Sequence, residues 1–333
     1  VIFCGATQAC REKERHLELL QNLLTFAGKR ESRVIKSKKA VERKWRCPEG
    51  AWVIIAFRVR SYEGVNYLNS KTVRDFIEIT HEKYAREVGK YFGTTIPGIF
   101  FDEIHNSGVP IVWCEGFAES FKKLKGYDIR KYLPCLFMDL GPKTPVFRCD
   151  YYDVYTTLYE EAWFKQISRW CEDHNLDLVG HTIENINAYQ TQGDYFRTMR
   201  HLQIPCTDNE DFRYRYPRIV DPWKPKQLAS ICHLYGKPFA AVEAMGGAGW
   251  SFTLDLARYG HNMLAAYGIN FSIPHLFHYA QDRPENVDDW PNSWFFRNPF
   301  WKYVKVFAAK SSGQLHILQI PSSLFYRSNI GVF

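Results

Sequence analysis

The sequence predicts an α/β fold, a TIM-like (β/α)8 barrel, and three observations predict it. Four apolar runs of strand length carry a glutamate at or near their end: Gly98-Ile-Phe-Phe-Asp-Glu103, Leu178-Val-Gly-His-Thr-Ile-Glu184, Ile204-Pro-Cys-Thr-Asp-Asn-Glu210 and Phe239-Ala-Ala-Val-Glu-Ala-Met245. A helical pattern follows each run, which is the order of repeated βα units on a parallel sheet. The chain has 333 residues, 46% of them hydrophobic, enough to fill a barrel core that commonly takes ~250 residues as one domain. Loops leaving the strand C-termini build the pocket of such a barrel, so the four carboxylates are expected at one edge.

Residues 1–50 are expected to form a helical and basic segment of uncertain fold. Leu17, Leu19, Leu20, Leu23 and Leu24 give 11–26 a helical spacing. A charged stretch follows, and the Pro48-Glu49-Gly50 turn precedes a strand ending at Phe57. The barrel is assigned to 51–310 and a tail to 311–333. Within the barrel, Asn69 caps a helix over 71–90 whose buried side carries Val73, Phe76, Ile77, Ile79, Tyr84 and Val88. After Glu103 the span 104–150 exceeds one crossover and holds a helix at 115–125, the kind of insertion that shapes a pocket. Helices at 151–174, 193–202, 224–235 and 252–266 then alternate with the runs ending near Glu184, Glu210, Glu243 and His275.

Composition narrows the function. Aromatic residues make up 16% of the chain, with ten Trp and twenty Tyr. Each one taken alone reads as a core residue; together they also suit a pocket that stacks on the apolar faces of sugars. A net charge of +7 lies largely in the first fifty residues. No basic stripe is interleaved with aromatics, which argues against a nucleic-acid partner. Gly246-Gly-Ala-Gly249 lacks the spacing of a phosphate-binding loop. Nine cysteines, an odd count without a CxxC pair, argue against a disulfide framework or structural zinc and lean towards a reducing compartment. No apolar run reaches membrane-spanning length, so no membrane partner is expected. The N-terminus shows no secretory signal, which leaves a cytoplasmic or a secreted or periplasmic location open.

Several segments in order resemble the catalytic barrel of the α-L-rhamnosidases of glycoside hydrolase family 106. They are Trp45-Arg-Cys-Pro-Glu-Gly-Ala-Trp52, Val65-Asn-Tyr-Leu-Asn69, Tyr91-Phe-Gly93 through Glu103, and Gly126-Tyr-Asp128 through Pro134. Arg148-Cys-Asp-Tyr-Tyr152, Ala229-Ser-Ile-Cys-His-Leu-Tyr-Gly-Lys237 before Glu243, and Gly268-Ile-Asn270 through His275 complete the set. The resemblance runs from about residue 45 to 310. It implies a larger parent chain with further domains, a carbohydrate substrate and a catalytic calcium. Residues 1–40 do not resemble the family's early barrel strands, so the barrel is expected to be incomplete at its N-terminal side.

Glycosidic cleavage needs one protonated carboxyl for the leaving oxygen and a second carboxylate to activate water or attack the sugar. Strand-end glutamates suit this work because the sheet fixes their separation and loop walls tune their acidity. Glu103, Glu210 and Glu243 fall where the resemblance places essential acids. Glu243 and Glu210 are assigned as the acid/base pair, and Glu103 as a third acid, catalytic or metal-binding. Asp102 and Glu103 adjoin in a strand, so only one of them faces the pocket. Glu184, Asn185, His275, Trp113, Trp250 and Trp294 are the expected sugar-binding residues. His181 and His278 remain open between site and core. Two other readings stand beside the rhamnosidase-like hydrolase: a non-catalytic carbohydrate-binding barrel, and another carboxylate-dependent barrel glycosidase.

Overall fold

A computed structural model describes the strands at 2–7, 16–18, 24–29, 35–38, 44–46 and 52–59, and residues 65–104, 111–182, 192–209, 223–275, 294 and 298–317. The chain divides into two compact units, each discontinuous in sequence. The first comprises Val1–Glu87, His105–Gln166 and Asn187–Thr198; the second comprises Val88–Ile104, Ile167–Ile186 and Met199–Phe333.

In the first unit, β1 (Ile2–Thr7), β3 (Leu24–Lys29), β4 (Ile35–Lys38) and β6 (Trp52–Val59) form an antiparallel sheet in the order β1-β6-β3-β4. A two-stranded antiparallel pair joins β2 (His16–Glu18) to β5 (Lys44–Arg46). Within the helix expected over 11–26, the described residues His16–Glu18 and Leu24–Phe26 are strand instead. Short leucine runs fit either period, and here pairing with β5 and β6 decides. The strand after Pro48-Glu49-Gly50 likewise belongs to this antiparallel sheet rather than to the parallel one.

Asn69 caps the helix Ser70–Ile79 as its sequence suggests, its side chain accepting from the Lys71 and Thr72 amides at 2.9 and 3.1 Å. Val73 and Ile77, four residues apart, supply the buried face. At Thr80 the helix stops and a second one, His81–Val88, begins. That break resets the face, so Ile79 and Tyr84 are exposed and His81 is buried instead. Gly116 and Gly126, at φ +77° and +80°, bound the helix Phe117–Lys125. The next helix starts earlier than expected, behind Pro142, and runs Lys143–Tyr159 before a π-helical turn at Glu160–Phe164 and a last segment Lys165–Asp173. Phe117, Phe121, Phe147, Tyr151, Tyr155 and Tyr159 are fully buried and form the core. Much of the aromatic content is thus spent on packing.

The second unit holds five strands in sequential order and all parallel: β7 (Gly98–Phe101), β8 (Asp177–Gly180), β9 (Ile204–Asn209), β10 (Ala241–Ala244) and β11 (Phe271–Pro274). They form half of a barrel. Leu178, Cys206, Ala241, Val242 and Ala244 are fully buried, as expected of strands covered on both faces. Helices Trp223–Tyr235 and Leu254–Ala266 follow β9 and β10. Thr253 caps the latter by accepting from the Leu256 amide, and His261 ties it to the sheet. The His261 Nδ1 lies 2.9 Å from the Ala257 carbonyl and Nε2 lies 2.9 Å from the Ser272 hydroxyl of β11. Burial pulls the His261 pKa down, which favours a neutral ring that donates through Nδ1 and accepts at Nε2. Helix Trp301–Ile317 crosses the boundary expected at residue 310.

Candidate active site

Register brings the candidate groups together. Phe101 pairs with Gly180 across β7 and β8, so the next residues, Asp102 and His181, leave the two strands side by side. The His181 amide bonds back to the Phe101 carbonyl at 3.4 Å, extending the ladder by one step. Glycine at 180 permits this approach: a Cβ there would lie 2.5 Å from both the Phe101 carbonyl oxygen and its ring. On β10, Glu243 pairs with Asp208 of β9 and Ile273 of β11. Two residues earlier in the same register lie Ala241 and Cys206, both fully buried. By strand alternation these small side chains lie on the same face of the sheet as Glu243.

Glu243 is the centre of the arrangement. Its Oε2 lies 2.8 Å from the Nε2 of His181, whose ring is only 1% exposed, while the carboxylate itself is 16% exposed. The same Nε2 lies 3.5 Å from the Asp102 Oδ1, on a side chain that is 72% exposed. The other Glu243 oxygen, Oε1, lies 3.8 Å from the His275 Nε2. His275 is held at the end of β11 by its amide, which donates to the Ala244 carbonyl at 2.8 Å. Gly246 leaves space for that imidazole, since a Cβ at 246 would sit 3.2 Å from its Cγ. Met245, with φ +71°, turns the chain out of β10 at this point, a conformation costly for a side chain with a Cβ.

Of the residues expected from sequence, Glu243 and His275 therefore meet. Glu103 does not join them: it is exposed beyond the end of β7, and Asp102 takes the position beside His181. Glu210, Glu184, Asn185 and His278 lie outside the described residues. Trp113 belongs to the first unit, where its ring packs 4.9 Å from Phe117. Trp250 is exposed after β10, in the glycine-rich turn. Trp294 is corrected to a core role, because Phe252, Phe300 and Phe307 enclose it and it is 5% exposed. Sequence reasoning left His181 open and assigned Asp102 no function; the Gly180-His181 pair at a strand end was the available signal. Asp208, buried beside Glu243 in register, was also passed over.

Asp102, His181 and Glu243 each offer one atom within 4.8 Å of the others. Calcium takes six to eight oxygen ligands. Two carboxylates around an imidazole nitrogen that already contacts Glu243 do not, among the described residues, make such a set.

A half-buried carboxylate at the C-terminal edge of a parallel half-barrel, with imidazoles at 2.8 and 3.8 Å, is an arrangement that suits acid/base chemistry. The alpha-L-rhamnosidase family model, Glyco_hydro_106, matches residues 39–307, and the chain belongs to that family. A protein of Formosa agariphila described as a "Putative beta-glucuronidase" is 23% identical over 225 residues, covering 62% of this chain and 18% of that protein. The structure of a rhamnosidase from Novosphingobium sp. PP1Y shares the fold with a TM-score of 0.65 at 17% identity, over 86% of this chain and 30% of that one. The chain thus spans less than a third of either relative's length. Among the described residues no helix is long and apolar enough to cross a membrane.

Proposed function

We propose that this chain carries the catalytic barrel of a glycoside hydrolase that removes a terminal rhamnoside-like sugar by carboxylate acid/base chemistry. The observation that carries the reading is the Glu243 carboxylate, mostly buried at the strand edge and contacted by His181 at 2.8 Å. Family membership and the rhamnosidase fold neighbour support it. In this reading the five parallel strands are part of an eight-stranded barrel, and the chain is part of a longer protein.

Glu243 protonates the leaving oxygen or removes a proton from water, and a second carboxyl performs the complementary step. The Asp102 and Glu243 oxygens lie within 4.8 Å of each other, closer than the ~6.5–9.5 Å that an inverting pair keeps open for water. Asp102 is thus unsuited to partner Glu243 in an inverting reaction, and Glu210 remains the carboxyl assigned to act with Glu243 as the acid/base pair. Asp102, exposed beside the pair, is placed to accept hydrogen bonds from sugar hydroxyls. Calcium remains an expectation from kinship.

A panel of aryl glycosides tests the proposal. Turnover of the α-L-rhamnoside in preference to the β-glucuronide is expected. Preference for the glucuronide would move the substrate class towards that of the Formosa relative. Sugar binding without turnover of any member would favour the non-catalytic barrel.

A further inference from the structure

We infer that His181 is a positioning residue that anchors one oxygen of Glu243 and leaves the other, Oε1, as the reacting atom. The inference rests on the glycosidase reading and assigns the two oxygens of its central carboxylate different tasks.

The geometry separates the oxygens. Oε2 is 2.8 Å from the His181 Nε2, within hydrogen-bond distance, whereas Oε1 is 3.8 Å from the His275 Nε2, beyond it. A carboxylate oxygen can only accept, so Nε2 is the donor and carries the proton. Among the described residues, Asp102 approaches the same nitrogen at 3.5 Å, a longer contact than that to Glu243.

His181 is also fixed in ways that suit an anchor. Its ring is 1% exposed and stands edge-on to Phe100, with centroids 5.7 Å apart. Its backbone is held against β7 by the amide bond to Phe101 that Gly180 makes room for. An imidazole so constrained sets the rotation of the Glu243 carboxyl about its last torsion, which is otherwise broad and roughly two-fold. His275 on the neighbouring strand end stands off far enough for a substrate oxygen to approach Oε1.

Charge adds to the case. Two carboxylates within 4.8 Å of one another repel. The His181 Nε2, within 2.8 Å of Glu243 and 3.5 Å of Asp102, stands between them as a hydrogen-bond donor that offsets part of this repulsion. Proper aim of a reacting group is worth a large factor: misplacement by about 1 Å costs ~100-fold in rate.

The test compares the full chain with His181→Gln and His181→Leu, assayed on the aryl glycoside the wild type cleaves. Glutamine can present an N–H donor near the place of Nε2, and leucine cannot. The leucine variant is expected to lose kcat by ~100-fold with KM changed less than about twofold, and glutamine to recover most of that loss. Equal loss in both variants, no loss in either, or a rise in KM alone would overturn the inference.

A second measurement stands free of turnover. In the nitrogen-15 histidine-labelled chain, the His181 signal is assigned by its disappearance in His181→Gln. Glu243→Ala should then remove the protected Nε2–H resonance. If that resonance is unchanged, His181 does not donate to Glu243 and the inference fails, even where activity is present. Absence of turnover in the wild type sinks the glycosidase reading instead, and leaves the resonance to decide the contact.

Discussion

The two units treat buried carboxylates differently. In the first, Glu160 is 2% exposed and meets a permanent cation, the Arg197 guanidinium, which also donates to Thr157 and Asp153 at 2.9 and 2.6 Å. Lys125 similarly bridges Asp150 and Asp153 at 3.0 and 2.5 Å. In the second unit, the neighbours of Glu243 include two imidazoles, which can change protonation, above a floor of alanine and cysteine. The arginine partner carries a permanent charge, whereas an imidazole partner can donate or accept a proton. On the proposed function, the contrast sets carboxylates that serve the fold in the first unit beside one that serves chemistry in the second.

Truncating the aromatic core should break the first unit hardest. Phe121 is fully buried, its ring 5.0 Å from Tyr127 and 6.0 Å from Phe147. Phe121→Ala should cost ~3–5 kcal/mol in denaturant unfolding, by lost burial and the cavity left behind. If the two units respond as their contents suggest, the protein that remains folded should keep its sugar affinity. Arg197→Met is expected to cost roughly 3 kcal/mol, because Glu160 would lose its guanidinium partner inside the core. Unchanged stability would mean that the ion pair contributes nothing there.

Gly180→Ala probes the other unit. The added methyl would meet the Phe101 carbonyl and ring at 2.5 Å, so β7 and β8 must part. A stability loss of roughly 1–3 kcal/mol is expected from overpacking, with a fall in kcat as His181 moves off Glu243. A variant with lower stability and full activity would detach the strand spacing from the site.

The smallest effect concerns pH. The hydrogen bond from Lys125 to Asp153, together with the charges of Lys125 and Arg197, holds this carboxyl below its usual range. A depressed folded-state pKa adds stability above the unfolded value, near 3.9 for Asp. That stability is lost as pH falls through the folded-state value. Asp153→Asn should therefore flatten the acid limb of the stability curve below about pH 4, by well under ~1 kcal/mol because the pair is partly exposed and screened. An unaltered limb would show that Lys125 and Arg197 do not couple to Asp153 in solution.

How much of this was legible in the sequence depended on whether a signal was local. Strands β7 to β11 read clearly, since each is a short apolar run bounded by turns, and Asn69 and Thr253 marked helix starts through their side chains. Leucine spacing over 17–24 suits a helix and a strand alike, and for Leu17 and Leu24 the pairing with Trp45 and Phe57 decides for strand. The resemblance points to Glu103, and alternation says only that one of Asp102 and Glu103 faces the pocket. With β7 ending at Phe101, pairing to Gly180 decided which acid meets His181. Trp294 and Trp250 look equivalent in sequence; three phenylalanines that converge only in the fold bury the first. His181 lies 62 residues from Glu243, and only the parallel sheet makes them neighbours.

The central claim is that Glu243 is the working carboxylate of this site. It is tested most directly by the turnover of an aryl α-L-rhamnoside by Glu243→Gln beside the wild type, with sugar binding measured in both. Loss of one acid/base group should lower kcat by ~100- to 10,000-fold while binding persists and the melting temperature holds. An active wild type whose Glu243→Gln variant turns over at an equal rate would contradict the account.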